Sequence, residues 1–153
     1  MLECCGKIEV YLNGFTSHND FFYKDEQLYF NACLTWLVQV GEQATKLDNT
    51  LKEKGTLIPW TMIKGFRNIA VHEYQYVDAE KVYQICTIHI PALQQNLENF
   101  IRESVQSNLL SDFELQLSKG SEFYSHVRFE NLLWGIRTLG RSYFNISLYL
   151  VRL

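Results

Sequence analysis

Several features that would place this chain quickly in a class are missing from it. None of its 153 residues fall in a run of the roughly 18 apolar residues that a membrane span needs. No charged start followed by an apolar stretch marks a secretory leader, so no leader is expected. The four cysteines, Cys4, Cys5, Cys33 and Cys86, show neither zinc spacing nor a disulfide framework. They read as reduced thiols of a cytoplasmic protein, two of them in the core. His18, His72, His89 and His126 are scattered, with no HxxxH or CxxC spacing. A metal-dependent hydrolase is therefore the weakest function class, and no metal or cofactor is expected. Excess positive charge is missing as well, since the formal net charge is -3. Broad nucleic-acid binding normally shows as a basic patch. An RNA site here would have to be local, with Arg67 and Lys64 as its cations.

What is present suits a globular protein. Apolar residues make up 47% and charged residues 20%, and 153 residues allow one domain with a real core. One stretch concentrates chemistry: Gly65-Phe66-Arg67-Asn68-Ile69-Ala70-Val71-His72-Glu73-Tyr74. Arginine stays charged at any working pH and offers a fork of donors suited to phosphate. Histidine, with an ordinary pKa of about 6.5, can give or take a proton in a cell. Together they are a sensible minimum for cutting RNA without metal. Spacing tests the idea. Five residues at about 100° each set Arg67 and His72 roughly 140° apart on an unbroken helix. Either the helix ends between them, or a second copy of the chain completes the site. The bland alternative is an arginine capping a helix end beside a packing histidine.

Arg67, four residues, His72, one residue and Tyr74 match the R-x4-H-x-Y motif, and the stretch resembles the HepT-like family of HEPN ribonucleases. Val40-Gly41-Glu42-Gln43-Ala44, Ile58-Pro59-Trp60, Gly65-Phe66-Arg67-Asn68 and Ile90-Pro91-Ala92-Leu93 extend the likeness, in order, over about residues 1–104. The resemblance implies an all-α antiparallel bundle. It implies a metal-independent RNA endonuclease, the toxin of a type II toxin–antitoxin pair, acting as a homodimer. Arg67 and His72 would be catalytic. The partner it implies is a small MNT-type nucleotidyltransferase antitoxin, and the motif tyrosine, Tyr74, would be the target of AMP transfer. A packed structural tyrosine is the alternative there. The runner-up for the whole chain is a non-catalytic HEPN-type helical module that binds RNA or protein.

Taken in order, residues 2–13 read as a helix with Leu2, Cys5, Ile8 and Leu12 at helical spacing. Asn13-Gly14 ends it. Residues 16–20 read as loop, and Phe21-Phe22-Tyr23 as a connector packed on the core. A long helix is expected over about 25–54. Gly41 costs that helix about 1 kcal/mol against alanine, and close approach of another helix is the reason to accept it. Glu42 either faces inward and holds Arg67 or His72, or is a solvated charge. Pro59 fits the first turn of the motif helix, with Trp60, Ile63 and Phe66 inward and Lys64 and Arg67 on another edge. Asn68 is expected to orient the turn rather than touch substrate.

The last long helix is expected over about 78–104, capped by Asp78 and kinked by Pro91. Its buried stripe is Val82, Ile85, His89, Leu93, Leu97 and Phe100. His89 reads as a partly buried packing histidine, and it departs from the family, which carries an acidic residue near this place. Residues 105–153 form an extension outside the resemblance. From 119 onward Lys119, Arg128, Arg137, Arg141 and Arg152 against Glu122 and Glu130 give +3, leaving -6 for the rest. A short helix could form over 109–117. The extension is a helical cap, a partner-binding segment, or a shifted reading frame without an evolved fold. The last is preferred, which predicts poor order and few long-range contacts from residue 105.

Overall fold

The computed structural model describes residues 1–133, except for the side chain of Tyr74. Those residues fold as an all-α antiparallel bundle, with no strand among them. Helix α1 is Leu2–Leu12 and α2 is His18–Tyr23. Helix α3 is Leu28–Lys46, α4 is Asn49–Lys54 and α5 is Trp60–His72. Helix α6, Ala79–Gln84, passes through a π-helical segment, Ile85–His89, into α7, Ile90–Gln106. Helix α8 is Asp112–Lys119 and α9 is Phe129–Leu133. Helix α3 is central, with α1 packed on one side and α5 on another, while α7 lies against α1 and α9.

Apolar spacing explains most of this. On α1 the stripe Leu2, Cys5 and Ile8 is buried, and α3 buries Phe30, Cys33, Leu34, Leu37, Val40 and Ala44. Each fully buried large apolar side chain contributes about 1.5–3 kcal/mol. All four cysteines are buried, twice the number expected in the core. Gly14, at φ +89°, takes the left-handed conformation that lets the chain leave α1. The expected loop at 16–20 instead enters α2, because the Ser17 side chain accepts from the Asp20 backbone N–H. Phe21 is fully buried, edge-on to Phe15 at 5.6 Å and to Phe30 at 6.1 Å.

The expected helix over 25–54 is divided. Asp25, Glu26 and Gln27 have φ of 46°, 55° and 69°, three consecutive left-handed residues that make a tight turn before α3. That costs about 1–2 kcal/mol per residue, and aromatic packing on both sides offsets it. The second break follows Lys46: Leu47 is extended, and Asp48 caps α4 by accepting from the Thr50 N–H at 2.7 Å. Pro59 sits just before α5 rather than within its first turn.

The kink expected at Pro91 takes the form of the π segment immediately before it. Proline brings no N–H to the helical ladder, and a wider turn accommodates the mismatch. The extra residue rotates the stripe, so Cys86 and Ile90 are buried and His89 is exposed. His89 is therefore not the packing histidine that uninterrupted helical spacing predicts.

Residues 105–133 pack on the bundle, in contrast to the few long-range contacts expected of them. Phe129 and Leu132 belong to the core cluster, at 8% and 1% exposure. Glu3 accepts from the His126 backbone N–H at 2.8 Å and meets the His126 Nδ1 at 2.7 Å. Arg128 pairs with Glu9. Gly6 makes the approach possible, since a Cβ there would lie 2.4 Å from the His126 carbonyl oxygen. Ser111 caps α8, close to the short helix expected at 109–117. Residues 134–153, the remainder of the expected extension, lie outside the described residues.

Candidate active site

The motif lies on α5, and α5 is positioned by its contact with α3. Gly41 is buried where the two helices meet. A Cβ at that position would lie 2.3 Å from the Cβ of Arg67 and 2.8 Å from its Cγ, closer than real Cβ atoms come. Arg67 thus begins against the backbone of α3, and its side chain must run along that helix. There it meets Glu42. The Arg67 Nε donates to Glu42 Oε1 at 2.6 Å, and Nη2 reaches the same oxygen. Its Nη1 donates to Asn68 Oδ1 at 3.0 Å. Of the five guanidinium N–H groups, two are left over.

Glu42 is therefore neither buried nor a free solvated charge. The two side chains are 26% and 28% exposed, and such a pair contributes about 0.2–1 kcal/mol. The pairing orients Arg67 without committing it, because an incoming phosphate can match an interaction that small.

Helix α5 runs unbroken from Trp60 through His72, so Arg67 and His72 share one helix but not one face. Trp60, Ile63 and Phe66 are half-buried toward the core, as their spacing predicts, and Ala70 is fully buried. The Trp60 indole N–H donates to the carbonyls of Lys52 and Gly55, both at 3.0 Å, which ties the start of α5 to α4. The opposite face is open. Lys64, Asn68 and His72 are all exposed and follow at spacing four, a single row along the helix. Spacing three, which links Lys64 to Arg67, had hidden that row. Beside it lie Met62, 70% exposed, and Ile69, 50% exposed, with Gly65 between them and nothing within 4 Å of where its Cβ would be.

Arg67 borders this row through Asn68. His72 ends it, in the last turn of α5, where the helix dipole favours positive charge. Tyr74 follows in a short 3-10 turn, Tyr74–Tyr76; its side chain lies outside the described residues. Among the described residues no three His, Cys, Asp or Glu side chains form a metal-ligand group. None of the described helices is long and apolar enough to cross a membrane.

An all-α bundle that carries Arg-x4-His on one helix, with the histidine on its open face and the arginine held at the edge by a carboxylate of the neighbouring helix, defines a class of helical domain. Residues 1–100 match the model of the family described as Ribonuclease HepT-like, and the chain belongs to that family. A candidate RNase of Methanocaldococcus jannaschii is 29% identical over 59 residues, 39% of this chain and 54% of that protein. A candidate RNase of Caldanaerobacter subterraneus subsp. tengcongensis is 28% identical over 82 residues, 54% of this chain and 72% of that protein. A second Methanocaldococcus jannaschii candidate RNase is 28% identical over 72 residues, 47% of this chain and 62% of its own length. The chain thus spans between about half and three quarters of these relatives. No solved structure matches it.

Proposed function

We propose that this chain is a metal-independent RNA endonuclease, the toxin of a type II toxin–antitoxin pair, working in the cytoplasm as a homodimer. The observation that carries the reading is the open row Lys64, Asn68 and His72 with Arg67 at its edge. Because His72 and Arg67 diverge on one helix, the proposal pairs two α5 helices. The His72 of one copy would then face the Arg67 of the other. The exposed Met62, the bare backbone at Gly65 and the exposed Ile69 supply an apolar strip that a second α5 can cover.

In this reading His72 takes the proton of an RNA 2'-hydroxyl, or returns one to the leaving 5'-oxygen. The 2'-oxygen attacks the adjacent phosphorus, the bond to the 5'-oxygen breaks, and a cyclic phosphate end is left. Arg67 turns its free N–H groups to the phosphate oxygens as charge builds there. Glu42 and Asn68 hold the guanidinium in direction, and Lys64 attracts the neighbouring phosphate. Family membership and the relatives' names support the ribonuclease part.

Tyr74 is proposed as the target of AMP transfer by a nucleotidyltransferase antitoxin. A phosphate group added just beyond His72 would compete for the same cations that RNA needs. Treatment with such an enzyme and ATP should add mass to wild type and none to Tyr74→Phe; equal labelling of both would exclude the role.

A second reading is a non-catalytic HEPN-type module that binds RNA or protein. It is favoured by one observation: Arg67 already spends three of its N–H groups inside its own chain. RNA cleavage in excess EDTA, with Arg67→Ala and His72→Ala beside wild type, separates the two. Cleavage lost in both variants supports the nuclease. No cleavage by folded, unmodified wild type supports the module.

A further inference from the structure

A second recess lies apart from the motif helix, between α1, the π segment, α7 and α9. None of the residues lining it comes from α3 or α5. It encloses about 380 Å³. A water's share of liquid volume is about 30 Å³, and small-molecule sites start near about 300 Å³. The recess is therefore too large for a bare ion and adequate for a short organic molecule.

Two side chains of α7 make it more than a gap. Glu98 is 4% exposed, and its Oε2 accepts from the Asn131 side-chain amide at 3.0 Å. No Lys, Arg or His forms an ion pair with it among the described residues. Gln94 is 7% exposed, and its amide has no hydrogen-bond partner among the described residues. At spacing four on one helix, the two groups open onto the same space. Buried amides are almost always bonded, and a buried carboxylate normally has a charge partner. Among the described residues neither group has a polar atom wholly shut away without a partner, so their unbonded atoms keep surface that a ligand in the recess can meet.

The rest of the lining says what would meet them. The Thr87 hydroxyl donates to the Tyr83 carbonyl at 2.8 Å, which leaves its oxygen as an acceptor. Arg128 and Glu9 both line the recess, and the Arg128 Nη2 donates to Glu9, so their charges offset one another and Glu98 is left as the unpaired charge. The recess therefore offers acceptors and a negative charge. Its remaining walls include the apolar Leu12, Ile90 and Pro91. We propose that this recess binds a small aliphatic amine, with its ammonium on Glu98 and the Gln94 carbonyl and its methylenes along the apolar wall. The site goes beyond the proposed nuclease reading and does not depend on it. It needs Asn131 of α9, which lies outside the residues 1–100 that match the family.

Titration calorimetry of the full chain tests this, with butane-1,4-diamine as the probe and butane-1,4-diol as its neutral counterpart. The diamine is expected to bind saturably at one site per chain and the diol not at all. Glu98→Gln should weaken the diamine at least tenfold, while Glu122→Gln, an exposed acid on the surface, should leave it unchanged. If Glu98→Gln loses its far-UV circular dichroism, Gln94→Leu carries the test, since it removes the carbonyl acceptor and keeps Glu98; the same loss is expected. The proposal is overturned if the diamine shows no saturable binding, if the diol binds equally, or if folded Glu98→Gln or Gln94→Leu binds like wild type. A loss in Glu122→Gln equal to that in Glu98→Gln would mean diffuse attraction to an acidic surface and would overturn it too.

Discussion

At the α3–α5 seam, Gly41 lets Arg67 sit against a helix backbone, and Glu42 of the next position takes its guanidinium. Where the extension meets α1, Gly6 lets His126 sit against a helix in the same way, and Glu3 takes its imidazole and its backbone N–H. Both joints combine a helical glycine, a neighbouring carboxylate and a basic side chain from another element. Both accept the cost of about 1 kcal/mol that glycine imposes within a helix. The first joint lies beside an exposed row of polar side chains on α5. The second closes over the end of α1, where Glu3 is only 12% exposed. The same three residue types thus serve attachment in one place and flank a candidate site in the other. What separates them is the open helix face next door.

The largest effect expected on this comparison comes from the extension. Leu132→Ala removes a side chain that is 1% exposed in the core and should cost about 3 kcal/mol in urea denaturation. A change under about 0.5 kcal/mol would mean that the extension hangs on the bundle without supporting it. Next come the two glycines. Gly6→Ala and Gly41→Ala each place a Cβ within 2.4 Å of existing atoms and should each cost about 2 kcal/mol. Only Gly41→Ala is expected to lower RNA cleavage, because only it displaces Arg67. Equal loss of cleavage in both would erase the distinction between the joints.

The carboxylates should differ as well. Glu3→Ala leaves the His126 N–H without its acceptor and should cost about 1–2 kcal/mol. Glu42→Ala breaks a quarter-exposed pair and should cost less than about 1 kcal/mol. Thermal melts of the two variants side by side would reverse the comparison if Glu42 proved the costlier. The smallest expected effect is no reaction at all. Burial pushes the Cys5 thiol up to about 12 and raises Cys4; a hydrogen bond with Cys33, then burial, raises Cys86. With all four thiols buried, and Cys4, Cys5 and Cys86 further held from ionising, an aromatic disulfide reagent at pH 8 should label none of the four until the chain is unfolded. Labelling of Cys4 or Cys5 in the native protein would mean that the α1 joint opens.

The sequence was a good guide wherever spacing alone decides burial. The stripe of α1, the inward face of α5 and the reason for Gly41 could all be read from it. The breaks were harder. Asp48 with Thr50 is a capping signal, but it sits inside a pattern that stays helical on both sides. The turn at Asp25–Gln27 uses three residue types that rarely take positive φ, so nothing local announces it. His89 was misplaced because the π turn shifts burial to Cys86 and Ile90 within that one stretch, while Leu93 and Leu97 remain on the expected stripe. The Arg67–Glu42 pair was one of two alternatives for Glu42, and periodicity cannot choose between them, since the choice depends on how α3 and α5 cross. The packing of residues 105–133 was unexpected because it rests on a few well-placed groups, His126, Arg128, Phe129 and Leu132, rather than on a long amphipathic stripe.

The π segment Ile85–His89 also acts as a phase setter. One residue more than an α-turn holds offsets all of α7 by about 100° relative to α6. Deleting a single residue there would let one continuous helix form, yet it would rotate Gln94 and Glu98 away from their recess and carry Leu93 and Leu97 off the core. The bundle would have to choose between an ideal helix and a filled interior. A relative aligned through this stretch by its apolar stripe alone would be read one position out of step from Ile90 onward.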